Sequence, residues 1–169
     1  EPVHAWVSGF GTGGTVLGVS RAMREASPNT RIIAAEPDNS PILGAGVPQP
    51  RDKNGRPDGS HPHFRPHVMQ GWSPDFISDL TQTAVDNEFI DEIVAVNGDH
   101  AMAMSQALAQ QEGIFVGTSS GATLAAALEY ANWRRHDRGR GRLVEVHAEL
   151  SFRCTGNDGC NRDAGRCRA

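Results

Sequence analysis

The 169-residue sequence predicts an α/β fold, with an open, mostly parallel sheet and helices on its flanks. Short apolar runs typical of buried strands alternate with segments whose apolar residues recur at helical spacing. A glycine-rich turn between a predicted strand and a predicted helix occurs twice. No apolar run approaches the roughly 20 residues that would span a bilayer, so we expect no membrane-spanning segment.

The first predicted unit is a strand, a helix and a second strand. His4 to Ser8 is the first strand, and apolar residues at helical spacing predict a helix over 15–26. Pro28-Asn29 ends that helix. The second strand runs from Arg31 to Ala35 and leads into Glu36-Pro37. This order is that of a βαβ unit, which places its strands in parallel.

The middle of the chain is irregular before a second unit begins. Residues 38–66 are rich in Pro, Gly, Asp, Asn and Arg, and we expect a long, mobile surface loop there, with apolar anchorage only from Pro41 to Val47. Apolar residues predict a strand over 89–96. Asn97-Gly98-Asp99 is then a turn and helix cap, and the helix continues over 100–112.

Gly113 ends this helix, and a second glycine-rich turn follows soon after. Ile114-Phe115-Val116 predicts a short buried strand. The turn over 117–121 leads into a helix of small residues over 122–133. In such folds ligands bind at the carboxyl ends of the strands, which is where both glycine-rich turns are predicted to lie.

Composition divides the chain into two parts at residue 133. The net charge is −4, but residues 134–169 carry nine Arg against five acids, which leaves residues 1–133 at −8. An acidic body disfavours nucleic-acid binding as its main role, because neutralising phosphates requires clustered cations. Residues 134–169 are rich in Arg, Gly and Cys, unlike the rest of the chain. We predict one folded domain over 1–133 and an aberrant, poorly packed tail over 134–169, such as a frameshift or a misjoined fragment would produce.

The sequence offers weak candidates for a metal site, and we predict none. Cys154, Cys160 and Cys167 lie in the tail, and their spacing misses the usual zinc knuckle. The histidines at 61, 63 and 67 cluster in a Pro-rich segment, where solvated side chains are commoner than ligands. The absence of cysteine from the body and of a secretory signal favours the cytoplasm.

The turn over Gly9 to Thr15 carries the clearest chemical signal. A glycine-rich turn between a strand and a helix presents backbone N–H groups at the positive end of the helix dipole, where a phosphate binds well. The pattern Gly9-x-Gly11-x-x-Gly14, with Glu36 closing the next strand, also fits a dinucleotide fingerprint. A tight connection with no ligand is a third interpretation.

Four motifs in order along the chain resemble those of cysteine synthase and its fold-type-II pyridoxal-phosphate relatives. Gly9 to Thr15 resembles the phosphate-binding loop, residues 36–41 the EPxxSP segment, residues 66–71 the PHxxQG segment and residues 112–122 the EGIxxGxSSGA segment. The resemblance covers about residues 1–133. It implies a tryptophan-synthase-β-like fold, incomplete at the N-terminus, and a structural role for Glu36 in place of a ribose contact.

The resemblance also implies which residues would bind the cofactor, pyridoxal phosphate. Gly11, Thr12, Gly13, Gly14 and Thr15 would bind its phosphate, and Ser119 would offer a hydroxyl to the pyridine nitrogen. A hydroxyl partner leaves that nitrogen largely unprotonated, which suits β-elimination. Ser119 could instead cap a helix with Ser120.

Gln70 and Gly71 lie where the family closes a loop over the substrate. The following residues, 72–76, depart from the common GxGxGF pattern, so the resemblance implies the cofactor but does not fix the substrate. Trp72 and Phe76 could line the substrate pocket or simply pack locally.

The family's chemistry requires a lysine that forms a Schiff base with the cofactor, in a segment upstream of the first glycine loop. The one lysine here, Lys53, lies in a polar insertion that matches no catalytic motif, and we expect it to be exposed. The catalytic residue is therefore expected to be absent from this chain, as is the family's asparagine and substrate-carboxylate loop.

The sequence thus predicts a C-terminal fragment of a β-replacement enzyme, inactive alone, whose full-length form makes cysteine from O-acetylserine and sulfide. The expected partners are these small molecules, with no nucleic acid and no membrane, and the full-length form is expected to be a homodimer. Two other hypotheses remain: an NAD-binding domain of an oxidoreductase, and a non-catalytic relative whose basic tail binds nucleic acid.

Overall fold

Three short strands pair in parallel to form the sheet on which the other elements pack. The computed structural model describes residues 3–138. Within them the strands are β1 (Ala5–Gly9), β2 (Arg31–Pro37) and β3 (Glu92–Val96), side by side in that order. Both pairings are parallel, so the three carboxyl ends lie along one edge of the sheet. This confirms the predicted fold class.

Four helices occur within residues 3–138. They are α1 (Gly14–Ala26), α2 (Asp79–Asp86), α3 (Gly98–Glu112) and α4 (Thr118–Arg138). The sequence predicted α1 and α3 to within two residues at each end. Asn97 caps α3 by accepting from the amides of Asp99 and His100, and Gly113 ends it in the left-handed conformation, both as predicted.

Apolar side chains cover both faces of the sheet. On one face α3 and α4 pack over residues of β1, β2 and β3, and this cluster includes Val7, Ile33, Val96, Ala122 and Ala126. On the other face α1 and α2 close a second cluster, which includes Trp6, Leu17, Ile32, Ile42 and Ala84. Trp6 pairs with Ile32, and Val7 pairs with Ile33. The two pairs lie in different clusters because neighbouring residues of a strand face opposite sides of the sheet.

The segment over 38–66 has no regular helix or strand, as predicted, and Ile42, within the predicted apolar anchor, is fully buried in the second core cluster. The prediction of a surface loop is wrong for other residues of the segment. His61 is also buried, with Nε2 against the carbonyl of Val47 at 2.8 Å and Nδ1 accepting from the amide of His63 at 3.2 Å. The expectation that His61 is solvated is therefore wrong, because backbone partners satisfy both ring nitrogens.

Residues Ile114 to Val116 do not form the buried strand that the sequence predicted. They join α3 to α4 without strand pairing, and Phe115 is 84% exposed. An apolar run becomes a strand only where a neighbouring strand supplies hydrogen-bond partners, and none of the three strands described lies beside it.

The helix α4 begins four residues before the predicted start and continues through Arg138, past the predicted boundary at 133. The three cysteines and the rest of the tail after Arg138 lie outside the described residues, so the packing of the tail stays a prediction. In residues 3–138 no helix has the length and apolar character to cross a membrane.

Candidate phosphate-binding site

The turn after β1 leaves the first amides of α1 without a side-chain partner. Gly13 is the N-cap, with φ 87°, a left-handed conformation that favours glycine. No side chain in the described range 3–138 caps this helix, and its first turn has no acid. By contrast, Ser78 caps α2 and Asn97 caps α3, and each of those helices has an aspartate in its first turn. The start of α1 is therefore suited to an external anion.

The solvent side of the turn is open. Thr12, Gly14 and Thr15 are exposed, and a methyl group added to Gly14 would meet no atom within 4 Å. The turn therefore combines unpaired helix amides, two threonine hydroxyls and space in front of them. A phosphate group fits this arrangement, because its oxygens accept several hydrogen bonds at once.

The opposite side of the turn packs against residues 71–81. The amide of Ser73 donates to the carbonyl of Phe10 at 2.7 Å, and the Ser78 hydroxyl lies 2.7 Å from the carbonyl oxygen of Thr12. A methyl group on Gly11 would come within 2.6 Å of the Gly71 carbonyl oxygen. The structure thus joins the predicted substrate-loop residue Gly71 directly to the predicted phosphate loop.

Trp72 is part of the contact between the turn after β1 and residues 71–81. Its ring is buried and occupies the space where a side chain on Gly9 would lie, so only glycine fits at the end of β1. Of the two interpretations of Trp72, the structure favours local packing. Phe76 is partly buried and Gln70 is exposed.

Ser119 lies in the first turn of α4, on the carboxyl-end side of β3. A side chain on Gly121 would collide with the Ala101 carbonyl in the first turn of α3, and α3 begins where β3 ends. Because α4 begins at Thr118, Ser119 is inside the helix and is not its cap. Ser119 is 8% exposed, and among the described residues none forms a hydrogen bond with its hydroxyl.

Glu36 is buried by the loop that follows β2 and is 1% exposed. Its carboxylate accepts from the amides of Leu43 at 3.0 Å and Gly44 at 2.8 Å. Burial raises the pKa of this carboxyl group, and the two hydrogen bonds oppose that effect. With both oxygens engaged inside the fold, Glu36 is not placed to bind a ribose, which removes the main support for the dinucleotide interpretation.

Lys53 lies on an exposed hairpin closed by a bridge between Arg51 and Pro57. The prediction that this lysine is exposed is confirmed. The hairpin is anchored to the start of α2, since Arg51 pairs with Asp79 at 2.6 Å.

A second feature of the carboxyl edge was not predicted from the sequence. A cleft of about 300 Å³ lies beyond the ends of β2 and β3 and is lined by residues that include Asp38, His67 and Asn97. The side chains of Asp38 and Asn97 are hydrogen-bonded to each other at 2.8 Å. These residues come from three separate segments, and no single motif contains them. Within the described residues no group of three or more His, Cys, Asp or Glu could hold a metal ion.

Comparison with known proteins gives consistent matches. The family described as pyridoxal-phosphate dependent enzyme matches residues 1–148. A cysteine synthase of Staphylococcus aureus is 36% identical over 144 residues, which are 85% of this chain and 39% of that protein. An O-ureido-L-serine synthase of Streptomyces lavendulae is 36% identical over 126 residues, 75% of this chain and 33% of that protein.

Solved structures agree with these matches. The crystal structure of a hydrogen sulfide-producing enzyme from Fusobacterium nucleatum superimposes with a TM-score of 0.69 and 28% identity, over 89% of this chain and 43% of that one. The chain thus spans about one third to two fifths of the length of the proteins it matches.

Proposed function

Because this chain belongs to the family of pyridoxal-phosphate dependent enzymes, we propose that it supplies the part of a β-replacement enzyme that holds the cofactor's phosphate. The observation that carries this proposal is the turn from Gly11 to Thr15. Within residues 3–138 it leaves the first amides of α1 without a side-chain partner, beside the exposed residues Thr12, Gly14 and Thr15 and with no acid in the first turn of the helix.

The residues of this chain would bind and orient the cofactor. The amides and hydroxyls of residues 11–15 would hold the phosphate, and the hydroxyl of Ser119 would lie at the pyridine nitrogen. When bound, the cofactor accepts the electron pair released at the substrate's α-carbon, which allows the β-substituent to leave.

For the complete enzyme we propose that cysteine is made from O-acetylserine and sulfide. The identity to the cysteine synthase of Staphylococcus aureus supports this product. The equal identity to the O-ureido-L-serine synthase keeps O-ureido-L-serine as a second candidate. Residues 72–76, where the sequence departs from the GxGxGF pattern, are the place where we expect this choice to be made.

We further propose that the complete enzyme is a cytoplasmic homodimer that acts on small molecules and uses neither a membrane nor a nucleic acid. The predicted division into a domain over 1–133 and a tail over 134–169 is retained as part of this proposal.

We propose that the 169-residue chain alone is inactive. Lys53 is its one lysine, and it lies on the exposed hairpin over 51–57, away from the motifs that resemble the family. A lysine that is both the covalent anchor of the cofactor and the base at the α-carbon contributes more than phosphate contacts can replace, since general-base help alone is worth about 10²–10⁴-fold.

The test joins this chain behind the N-terminal half of a related cysteine synthase and measures cysteine formation from O-acetylserine and sulfide. We expect the fusion to form cysteine when pyridoxal phosphate is added, and its Lys53→Ala variant to be equally active. The isolated chain, assayed in parallel, should form none. Cysteine from the isolated chain, or loss of activity in the Lys53→Ala fusion, would overturn the proposed role of Lys53. A folded fusion that binds the cofactor but makes no cysteine would overturn the proposed reaction.

A further inference from the structure

We propose that Ser78 is a positioning residue that aims the amide of Gly13 at the cofactor's phosphate. This inference rests on the proposed function, because it concerns the same turn. The motifs that resemble the family do not include Ser78, and α2, which it caps, was not predicted from the sequence.

The contact with Ser78 fixes the orientation of the Thr12–Gly13 peptide. A trans peptide is planar, and its C=O and N–H bonds point in opposite directions. The Ser78 hydroxyl lies 2.7 Å from the Thr12 carbonyl oxygen. The Thr12 carbonyl therefore points toward the start of α2, and the N–H of Gly13, on the other side of the same plane, points away from α2.

The Ser78 hydroxyl has three possible hydrogen-bond partners, and their chemistry decides which of them receives its proton. Ser78 Oγ is also 3.1 Å from Thr81 Oγ1 and 3.1 Å from the amide nitrogen of Thr81. A carbonyl oxygen can only accept, whereas the Thr81 hydroxyl can also donate. The proton of Ser78 therefore goes to Thr12, and the lone pairs of Ser78 accept from Thr81. One hydroxyl thus caps α2 and holds the phosphate loop.

A neighbouring contact has the same geometry. The amide of Ser73 donates to the Phe10 carbonyl at 2.7 Å, so the N–H of Gly11 also points away from residues 73–78. Contacts from one segment, residues 73–78, therefore fix the orientation of two alternate amides of the turn. Binding an anion then requires little reorganisation of the backbone, which favours affinity.

Close packing keeps this arrangement in place. A methyl group on Gly13 would lie 2.5 Å from both the amide nitrogen and the hydroxyl of Thr81, so α2 directly contacts the turn. The acid in the first turn of α2, Asp79, is paired with Arg51 at 2.6 Å. This pairing offsets a negative charge that would otherwise disfavour an anion nearby.

The test compares Ser78 variants in the 169-residue chain without any assay of activity. Ser78→Thr keeps a hydroxyl that can both donate and accept. Ser78→Gly removes it without adding charge, and glycine at an N-cap costs only a few tenths of a kcal/mol in helix stability. Thr83→Ala is the matched control, because it removes another hydroxyl of α2, one that bonds within the helix to the Asp79 carbonyl.

The ligands are pyridoxamine 5′-phosphate and pyridoxamine, which lack the aldehyde that reacts with amines. We expect wild type, Ser78→Thr and Thr83→Ala to bind pyridoxamine 5′-phosphate alike, and Ser78→Gly to bind it roughly tenfold more weakly, the effect of one charge-assisted hydrogen bond. All four chains should bind pyridoxamine alike.

Two outcomes separate this inference from the proposed function. If the wild-type chain shows no preference for the phosphorylated ligand, the proposed function and this inference both fail. If the wild-type chain prefers the phosphorylated ligand and Ser78→Gly binds that ligand as tightly as wild type, only the role of Ser78 is overturned. Should Ser78→Gly fail to fold, NMR of the wild-type chain with inorganic phosphate tests the inference instead. We expect phosphate to move the Gly13 amide proton downfield, and an unmoved Gly13 signal overturns the inference.

Discussion

Gly13 and Gly14 are adjacent in the phosphate turn but tolerate a side chain very differently. Gly13 is left-handed and packs against Thr81, whereas Gly14 begins α1 with open space around it. We expect Gly13→Ala to lower the free energy of unfolding by about 2 kcal/mol, from the left-handed backbone and the overlap together. Gly14→Ala should be neutral or stabilising by up to about 1 kcal/mol.

Urea unfolding of the two variants without cofactor checks this difference. Equal unfolding midpoints for Gly13→Ala and Gly14→Ala would show that the turn does not hold the conformation described.

Glu36 gives a prediction about pH. Burial raises the pKa of this carboxyl group above its ordinary value of 4.5. A group whose pKa is higher in the folded state binds its proton more tightly there, so its contribution to stability is complete below the unfolded-state pKa. That contribution is lost as the pH rises through the folded-state pKa.

The wild-type chain should therefore lose stability relative to Glu36→Gln as the pH rises from about 4.5, because glutamine does not titrate. Urea unfolding of both chains over a series of pH values measures the difference. The effect of burial would be contradicted if the difference in free energy of unfolding between the two chains stayed constant with rising pH or changed in favour of the wild type.

At the scale of elements, the strands and helices with strong periodicity could be predicted from the sequence, and two elements could not. The helix α2 was missed because it is short and polar, with only Thr81 and Ala84 buried. Its capping residue Ser78 was the available signal. Residues Ile114 to Val116 were predicted as a strand because an apolar run has the same pattern whether or not a partner strand lies beside it.

The exposure of the segment over 114–116 makes a testable contrast. Phe115 is 84% exposed, whereas Phe10 is 2% exposed between the sheet and α1. We expect Phe115→Ala to change the free energy of unfolding by no more than about 0.5 kcal/mol. Phe10→Ala should cost about 3–5 kcal/mol.

Chemical denaturation of both phenylalanine variants is the measurement. A loss from Phe115→Ala comparable to that from Phe10→Ala would mean that the segment packs against the fold in solution, as the sequence predicted.

For the whole molecule, phosphate binding by the turn after β1 and the role of Ser119 stay predictions that are drawn from the sequence motifs. They could not reveal how the turn is supported, because the supporting contacts come from distant parts of the chain. Ser78 lies 66 residues from Thr12, and the Trp72 ring fills the space beside Gly9. The burial of His61 depends in the same way on the backbone of Val47, which its own neighbours in sequence do not indicate.

The central claim is that this chain recognises the phosphate of pyridoxal phosphate through the turn after β1. The most direct measurement is the affinity of the 169-residue chain for pyridoxamine 5′-phosphate compared with pyridoxamine and with NAD, by equilibrium dialysis. We predict that the phosphorylated pyridoxamine binds at least about tenfold more tightly than pyridoxamine, as expected for charge-assisted hydrogen bonds to a phosphate. NAD should not compete with it. Equal affinity for the two pyridoxamine forms, or displacement of the phosphorylated form by NAD, would contradict the account.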